Sequence, residues 1–144
     1  MSIWKRTFSL EHLNEICSNT MVSSLGIVFS AYGDDYMEAT MPVDHRTCQP
    51  YGMLHGGASV SLAETLGSIA GNMCCPEDKC CLGLDINANH MRGVFGGTVR
   101  ARAVPLHLGV STQVWSVRIY NDDGDLVCDS RLTLAVHRRK ATVS

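Results

Sequence analysis

The chain of 144 residues has no run of about 18 apolar residues, the least that crosses a bilayer as a helix, so no transmembrane segment or membrane partner is expected. Its start, Met1-Ser2-Ile3-Trp4-Lys5-Arg6-Thr7, lacks the apolar core of a secretory signal, and a cytoplasmic location is the expectation. Repeats, low-complexity tracts and linkers are missing. That leaves one domain over residues 1–137, followed by a basic tail at 138–144 (Arg138-Arg139-Lys140 and small polar residues) expected to be mobile. Strong charge of either sign is missing as well. The formal net charge of −2 argues against nucleic acid as a partner. No Gly-x-Ser-x-Gly elbow, P-loop or His-Glu-x-x-His occurs, so serine-hydrolase, nucleoside-triphosphatase and zinc-protease chemistries lose support. There is no Cys-x-x-Cys either. The seven cysteines are odd in number and lie in apolar stretches, which suits buried thiols in a reducing compartment. Cys74-Cys75 and Cys80-Cys81 are two adjacent pairs, not zinc knuckles, and no metal site is expected.

What is present reads as α+β. A composition of 45% hydrophobic and 18% charged residues is that of a globular domain able to bury a core. Residues 9–18 have a helical pattern, with Ser9 as N-cap, Glu11 in the first turn and an apolar stripe of Leu10, Leu13 and Ile16. Asn19 or Thr20 can cap a further turn through Met21 to Ser24, closed by Gly26. The period then changes to two. Ile27 to Tyr32 and Tyr36 to Met41 flank Gly33-Asp34-Asp35 as a hairpin, and Pro42 ends the second strand. An irregular loop over 43–50 leads to His55-Gly56-Gly57.

The longest element should be a helix from about Ala58 to Cys74, with Leu62, Leu66, Ile69 and Met73 on one face. It stops near Pro76. The rest alternates as strands: Cys81 to Met91, Thr98 to Val104, a segment around Gln113, Trp115, Val117 and Ile119, and Leu126 to Val136. A break or bulge is expected at Pro105 to Gly109 and a tight turn at Asn121-Asp122-Asp123-Gly124. One long helix packed on an antiparallel sheet of five or six strands is the simplest arrangement.

Glu64 is the first candidate for chemistry. A glutamate on an amphipathic helix is ordinarily a solvated position, but its neighbours Ala63, Thr65, Leu66 and Gly67 are small or apolar. A carboxylate in a dry pocket can serve as general base or nucleophile near neutral pH. Ser68, one turn on, could hold a water for it, or could be a small residue chosen for close packing. His55-Gly56-Gly57 is either a tight turn or a helix start whose Gly56 or Gly57 N–H meets a developing oxyanion. Gln49 and His55 could both hydrogen-bond the reacting group. His90, within Asn87-Ala88-Asn89-His90-Met91-Arg92, stands in an unusually polar strand end that resembles the wall of a polar site.

Gln49-Pro50-Tyr51-Gly52-Met53-Leu54-His55-Gly56-Gly57-Ala58-Ser59, followed by Leu62-Ala63-Glu64-Thr65-Leu66-Gly67-Ser68, resembles the hotdog-fold acyl-CoA thioesterases. Within them it is similar to the bacterial subgroup of the 1,4-dihydroxy-2-naphthoyl-CoA thioesterase of menaquinone synthesis and the proofreading thioesterase of enterobactin synthesis. The resemblance extends to Ile3-Trp4-Lys5-Arg6, Met41-Pro42-Val43-Asp44, Asn87-Ala88-Asn89-His90 and Pro105-Leu106-His107-Leu108-Gly109. It implies a hotdog fold, a homo-oligomer built as a dimer of dimers, and an active site across the dimer interface. It also implies that Gln49, His55 and the Gly56 N–H come from one chain and Glu64 and Ser68 from the other. Gly56 would polarise the thioester carbonyl, Gln49 and His55 orient it, Glu64 attack it or activate water, and Ser68 hold that water. His90, Arg92, His107 and Gly109 would contact the substrate and its CoA part. No cofactor is implied beyond the CoA thioester as substrate.

An aromatic acyl-CoA is the expected substrate, with a carrier-protein-bound aryl thioester as the alternative. A hotdog dehydratase and a non-catalytic acyl-CoA binding module are the competing classes. Eight residues of helix separate Gly56 from Glu64, about 12 Å at 1.5 Å per residue. That is too far for both to act on one carbonyl carbon.

Overall fold

In the computed structural model, which describes residues 1–140, the chain forms a six-stranded antiparallel sheet wrapped around one long helix. The elements run α1 (Leu10–Ile16), α2 (Met21–Ser24), β1 (Val28–Tyr32), β2 (Met37–Pro42), α3 (Gly56–Met73), β3 (Lys79–His90), β4 (Thr98–Leu108), β5 (Thr112–Tyr120) and β6 (Leu126–Arg138). The strand order is β1-β2-β4-β5-β6-β3, so β3 lies at one edge beside the last strand. This is the hotdog arrangement.

Local chemistry accounts for most boundaries. The Ser9 side chain accepts from the His12 N–H at 3.1 Å, and Thr20 with Ser23 forms a capping box on α2. Asn14 holds α1 to β1, donating to the Phe29 carbonyl at 3.1 Å and accepting its N–H at 2.9 Å. The hairpin closes with the Gly33 N–H on the Tyr36 carbonyl. At Asn121 the side-chain oxygen accepts from the N–H groups of Asp123 and Asp125, and Gly124 takes a φ of +82°. Pro105 does not break its strand. A bulge between Pro105 and His107 absorbs the missing donor, and β4 continues to Leu108. β6 runs past the expected Val136, because Cys80 and Lys79 pair with His137 and Arg138. Of the tail expected to be mobile, residues 141–144 lie outside the described residues.

The core lies between α3 and the sheet. Met37, Ala39 and Met41 of β2, Val99, Ala101 and Ala103 of β4, Trp115, Val117 and Ile119 of β5, and Leu132 and Leu134 of β6 all point at the helix and are fully buried. Of the four apolar residues expected to share the inner helix face, Leu62 and Leu66 are buried, whereas Ile69 and Met73 are only partly so. The inner stripe is completed by small residues: Ala63, Gly67, Ala70 and Gly71. They let the helix axis approach the sheet. A Cβ added at Gly67 would lie 2.5 Å from Leu132 Cδ2, and one at Gly71 would lie 2.4 Å from Leu134 Cδ1 and 2.8 Å from Gln113 Oε1.

The far end of α3 is fastened by Arg6, whose guanidinium donates to the carbonyls of Cys75, Pro76 and Lys79. These carbonyls follow the Cys74 C-cap, so Arg6 ties the turn after the helix to the N-terminal segment. No helix among the described residues is long and apolar enough to cross a membrane.

Gly71→Ala tests the close approach. Helix propensity alone favours alanine by about 1 kcal/mol, but overpacking against Leu134 and Gln113 costs about 1–3 kcal/mol. The expected result is a lower urea midpoint at unchanged slope; a higher midpoint would mean that the helix has room to spare.

Candidate active site

The loop before α3 is built to present one side chain. Asp44 anchors its first turn. The Asp44 carbonyl accepts from the Thr47 and Cys48 N–H groups, and its carboxylate pairs with the Arg46 guanidinium at 2.7 Å. The hydrogen bonds from Arg46 hold the Asp44 carboxyl down at about 2, so this ion pair is intact throughout the neutral range. Buried Thr47 donates to the Pro42 carbonyl at 2.7 Å. Next, Cys48 pairs with Leu54, the Gln49 N–H donates to the Met53 carbonyl at 2.8 Å, and Gly52 reverses the chain at a φ of +89°. Gln49 therefore sits at the root of a tight turn. Its side-chain oxygen accepts from the Tyr51 N–H, and its amide NH2 has no acceptor among the described residues. That group is free to donate to a ligand.

His55 is the N-cap of α3, and the helix starts at Gly56, two residues before the expected Ala58. Its Nδ1 accepts from the Gly57 N–H at 2.7 Å. Two consequences follow. An Nδ1 that accepts leaves the hydrogen of the neutral ring on Nε2, which is then a donor. The Gly57 N–H is also spoken for, whereas the Gly56 N–H has no acceptor among the described residues. Of the two glycines the sequence leaves open, Gly56 is the one able to hold an oxyanion.

The His90 ring lies over Gly56. A Cβ at Gly56 would meet His90 Nε2 at 3.0 Å, so any larger residue there would push the exposed His90 ring outward by a few tenths of an ångström. Gln49, Gly56, His90 and Arg92 together border a cavity of about 360 Å³, with Met53 and Met91 as apolar walls. Arg92 is exposed, 4.0 Å from Asp125. The structure thus gathers four of the expected residues in one place.

Glu64 and Ser68 are elsewhere on α3. The helix runs opposite to β3, from His90 towards Lys79, and half-buried Glu64 lies over the middle of that strand. A Cβ at Gly83 would be 2.7 Å from Glu64 Oε1, so the missing side chain at Gly83 makes room for the carboxylate. Neither the Glu64 carboxylate nor the Ser68 hydroxyl has a protein partner among the described residues. Asn72, one turn beyond Ser68, donates to the Ser68 carbonyl at 2.8 Å and binds the Cys81 backbone, which fixes the helix against the strand. His107 and Gly109 lie at the opposite end of the molecule from His90 and Arg92, where Gly109 borders a second cavity near the α3 C-terminus. Gly83 and Met91 have no place among the residues expected from sequence, and Met53 stands out there only as a departure from the family pattern. A glycine interrupting a strand pattern is a usable signal for Gly83, whereas the two methionines carry none.

A donor-rich helix start and a carboxylate two turns on, unpaired among the described residues, fit acyl chemistry run by a carboxylate and backbone donors. The chain belongs to the thioesterase superfamily, whose sequence profile matches residues 51–128, and it is a thioester hydrolase of the hotdog fold. It is 53% identical over 134 residues to the 1,4-dihydroxy-2-naphthoyl-CoA hydrolase of Escherichia coli, covering 93% of this chain and 98% of that protein. It is 52% identical to the proofreading thioesterase EntH of Cronobacter sakazakii, with the same coverage of both. The crystal structure of thioesterase HI1161 from Haemophilus influenzae superposes with a TM-score of 0.94 at 59% identity, over 94% of this chain and 95% of that one.

The cap assignment is testable. His55→Ala is expected to lower stability by about 1 kcal/mol, while His55→Asn, which restores a capping oxygen, recovers most of it. Equal urea midpoints for the two variants would refute the capping role.

Proposed function

We propose that the protein hydrolyses an aromatic acyl-CoA thioester to the free acid and CoA, at a site completed by a second copy of the chain. The observation that carries this reading is the separation of Gly56 and Glu64 along α3, about 12 Å at 1.5 Å per residue, while both face the edge strand β3. β3 is 12 residues long, and Leu82 and Leu84 on it are 59% and 63% exposed. A long apolar edge of this kind pairs readily with another strand. Antiparallel pairing of two copies about a two-fold axis between Ile86 and Asn87 would set the His90 end of one copy opposite Gly83 of the other. The Gly56 N–H of one chain would then lie beside Glu64 of its mate. The same axis would bring Arg92 of one copy close to Cys81 of the other, and so reunite the His90–Arg92 end with the His107–Gly109 end along one CoA channel. Two such dimers would form the tetramer.

In this site the Gly56 N–H donates to the thioester carbonyl oxygen and stabilises the oxyanion, while the Gln49 amide orients the thioester and His55, which borders a neighbouring cavity, holds the helix start in place. Glu64 attacks the carbonyl carbon, or takes the proton of a water held by Ser68. By either route the C–S bond breaks and CoA leaves as the thiolate. Base, nucleophile and oxyanion donors are all groups of the chain, so the reaction calls for no metal or cofactor. The aromatic preference is supported by the likeness to the dihydroxynaphthoyl-CoA hydrolase and by the adaptable Met53 and Met91 walls. A carrier-protein-bound aryl thioester is the second reading, because the likeness to EntH is nearly as high.

Thiol release with a panel of aryl-CoA and carrier-bound aryl thioesters, ranked by kcat/KM, decides between these donors. Glu64→Gln should lose about 10²- to 10⁴-fold in kcat with CoA binding intact, and full residual turnover would sink the mechanism. Glu64→Ala and Gln49→Ala chains mixed after unfolding should regain about a quarter of the wild-type activity, since a two-fold heterodimer restores one whole site. A site within one chain would regain none.

A further inference from the structure

We propose that Cys75 and Cys81 form a peroxide-responsive disulfide site at the C-terminal end of α3. Their sulfurs are in contact at 3.2 Å, within a small side-chain rotation of the bond length of about 2.05 Å. The two residues bracket the turn between α3 and β3, and the scaffold around them is rigid. Asn72 accepts the Cys81 N–H at 2.9 Å, Gln113 Nε2 donates to Cys75 Sγ at 3.5 Å, and Trp115 Nε1 locks Gln113 from behind at 2.9 Å. Cys75 borders a cavity of about 220 Å³ beside Lys5 and Lys79, room enough for an oxidant the size of hydrogen peroxide. Within one chain the site lies apart from the cavity that holds Gln49, Gly56 and His90. Cys75 and Cys81 are the cysteine pair whose sulfurs are in contact. Cys80 precedes Cys81 on an extended strand, so its side chain leaves from the opposite face.

The step balances with hydrogen peroxide as oxidant. The Cys75 sulfur attacks the O–O bond; an S–O bond forms, the O–O bond breaks, and the released hydroxide takes the Cys75 proton as water. The Cys81 sulfur then attacks the sulfenic acid; the S–S bond forms and the S–O bond breaks. Burial pushes the Cys81 thiol up, so it keeps its proton until the departing hydroxide takes it as the second water. One peroxide is reduced by two electrons, one from each thiol.

The test uses the reduced full chain treated with hydrogen peroxide, then unfolded in denaturant, capped with N-ethylmaleimide and digested without reduction. Titratable thiols should fall by two from the seven of the reduced chain, and mass spectrometry should find the peptide of Cys75 joined to that of Cys81. A Cys74→Ser/Cys80→Ser double variant should form the same link, and Cys81→Ser should leave a dimedone-reactive sulfenic acid on Cys75. A thiol count that stays at seven in the wild type, or a link that disappears in the double variant while its melting curve is unchanged, would overturn the proposal. The wild-type measurement stands even if a variant fails to fold.

Discussion

The close approach of α3 to the sheet is the constraint on which the rest depends. Glycines at 67 and 71 and alanines at 63 and 70 remove the side chains that would hold the helix off, and Leu132, Leu134 and Trp115 fill the space they leave. Packing this tight fixes the rotation of the helix about its own axis. Once that rotation is set, Glu64 must lie over Gly83 and the helix start must lie under His90. A larger residue in the stripe would turn both ends at once. The chemistry of the helix is therefore positioned by residues that take no part in it.

The two ends of α3 are finished differently, and each finish has a consequence. At the start, His55 caps with a side chain and spends Gly57, which leaves Gly56 as the unspent donor. At the end, Arg6 gathers three carbonyls and Asn72 ties the last turn to Cys81. The first end is open to a ligand and the second is closed. Between them Glu64 has room but no partner among the described residues. A half-buried carboxylate without a partner is poised for a group that comes from outside the chain.

Much of this was legible in the residues. The change of period from 3.6 to 2 and back marks the long helix and the strands, and Ser9, Thr20 and Asn121 announce their caps and turns by residue type. Gln49, His55, Gly56, Glu64 and Ser68 stand out as polar or glycine residues in an apolar frame. Ile69 and Met73 were misleading, because an apolar stripe does not reveal that small residues beside it take the innermost place. Pro105 was ambiguous for a related reason: a bulge and a break look alike until the neighbouring strands are in place.

The sequence by itself determined the α+β order of elements, which follows from local periodicity and residue chemistry; the hotdog class and the assignment of polar groups to a thioester came with the resemblance of the Gln49–Ser68 motifs to a known family. The sequence also determined that Gly56 and Glu64 cannot share a carbonyl carbon within one helix, because the rise per residue is constant. Only the tertiary structure decided which glycine N–H is free, that His107 and Gly109 lie far from His90, and that β3 is the edge strand beside β6. Those outcomes rest on a side-chain cap and on strand pairings between residues far apart in the chain, and no local pattern encodes either.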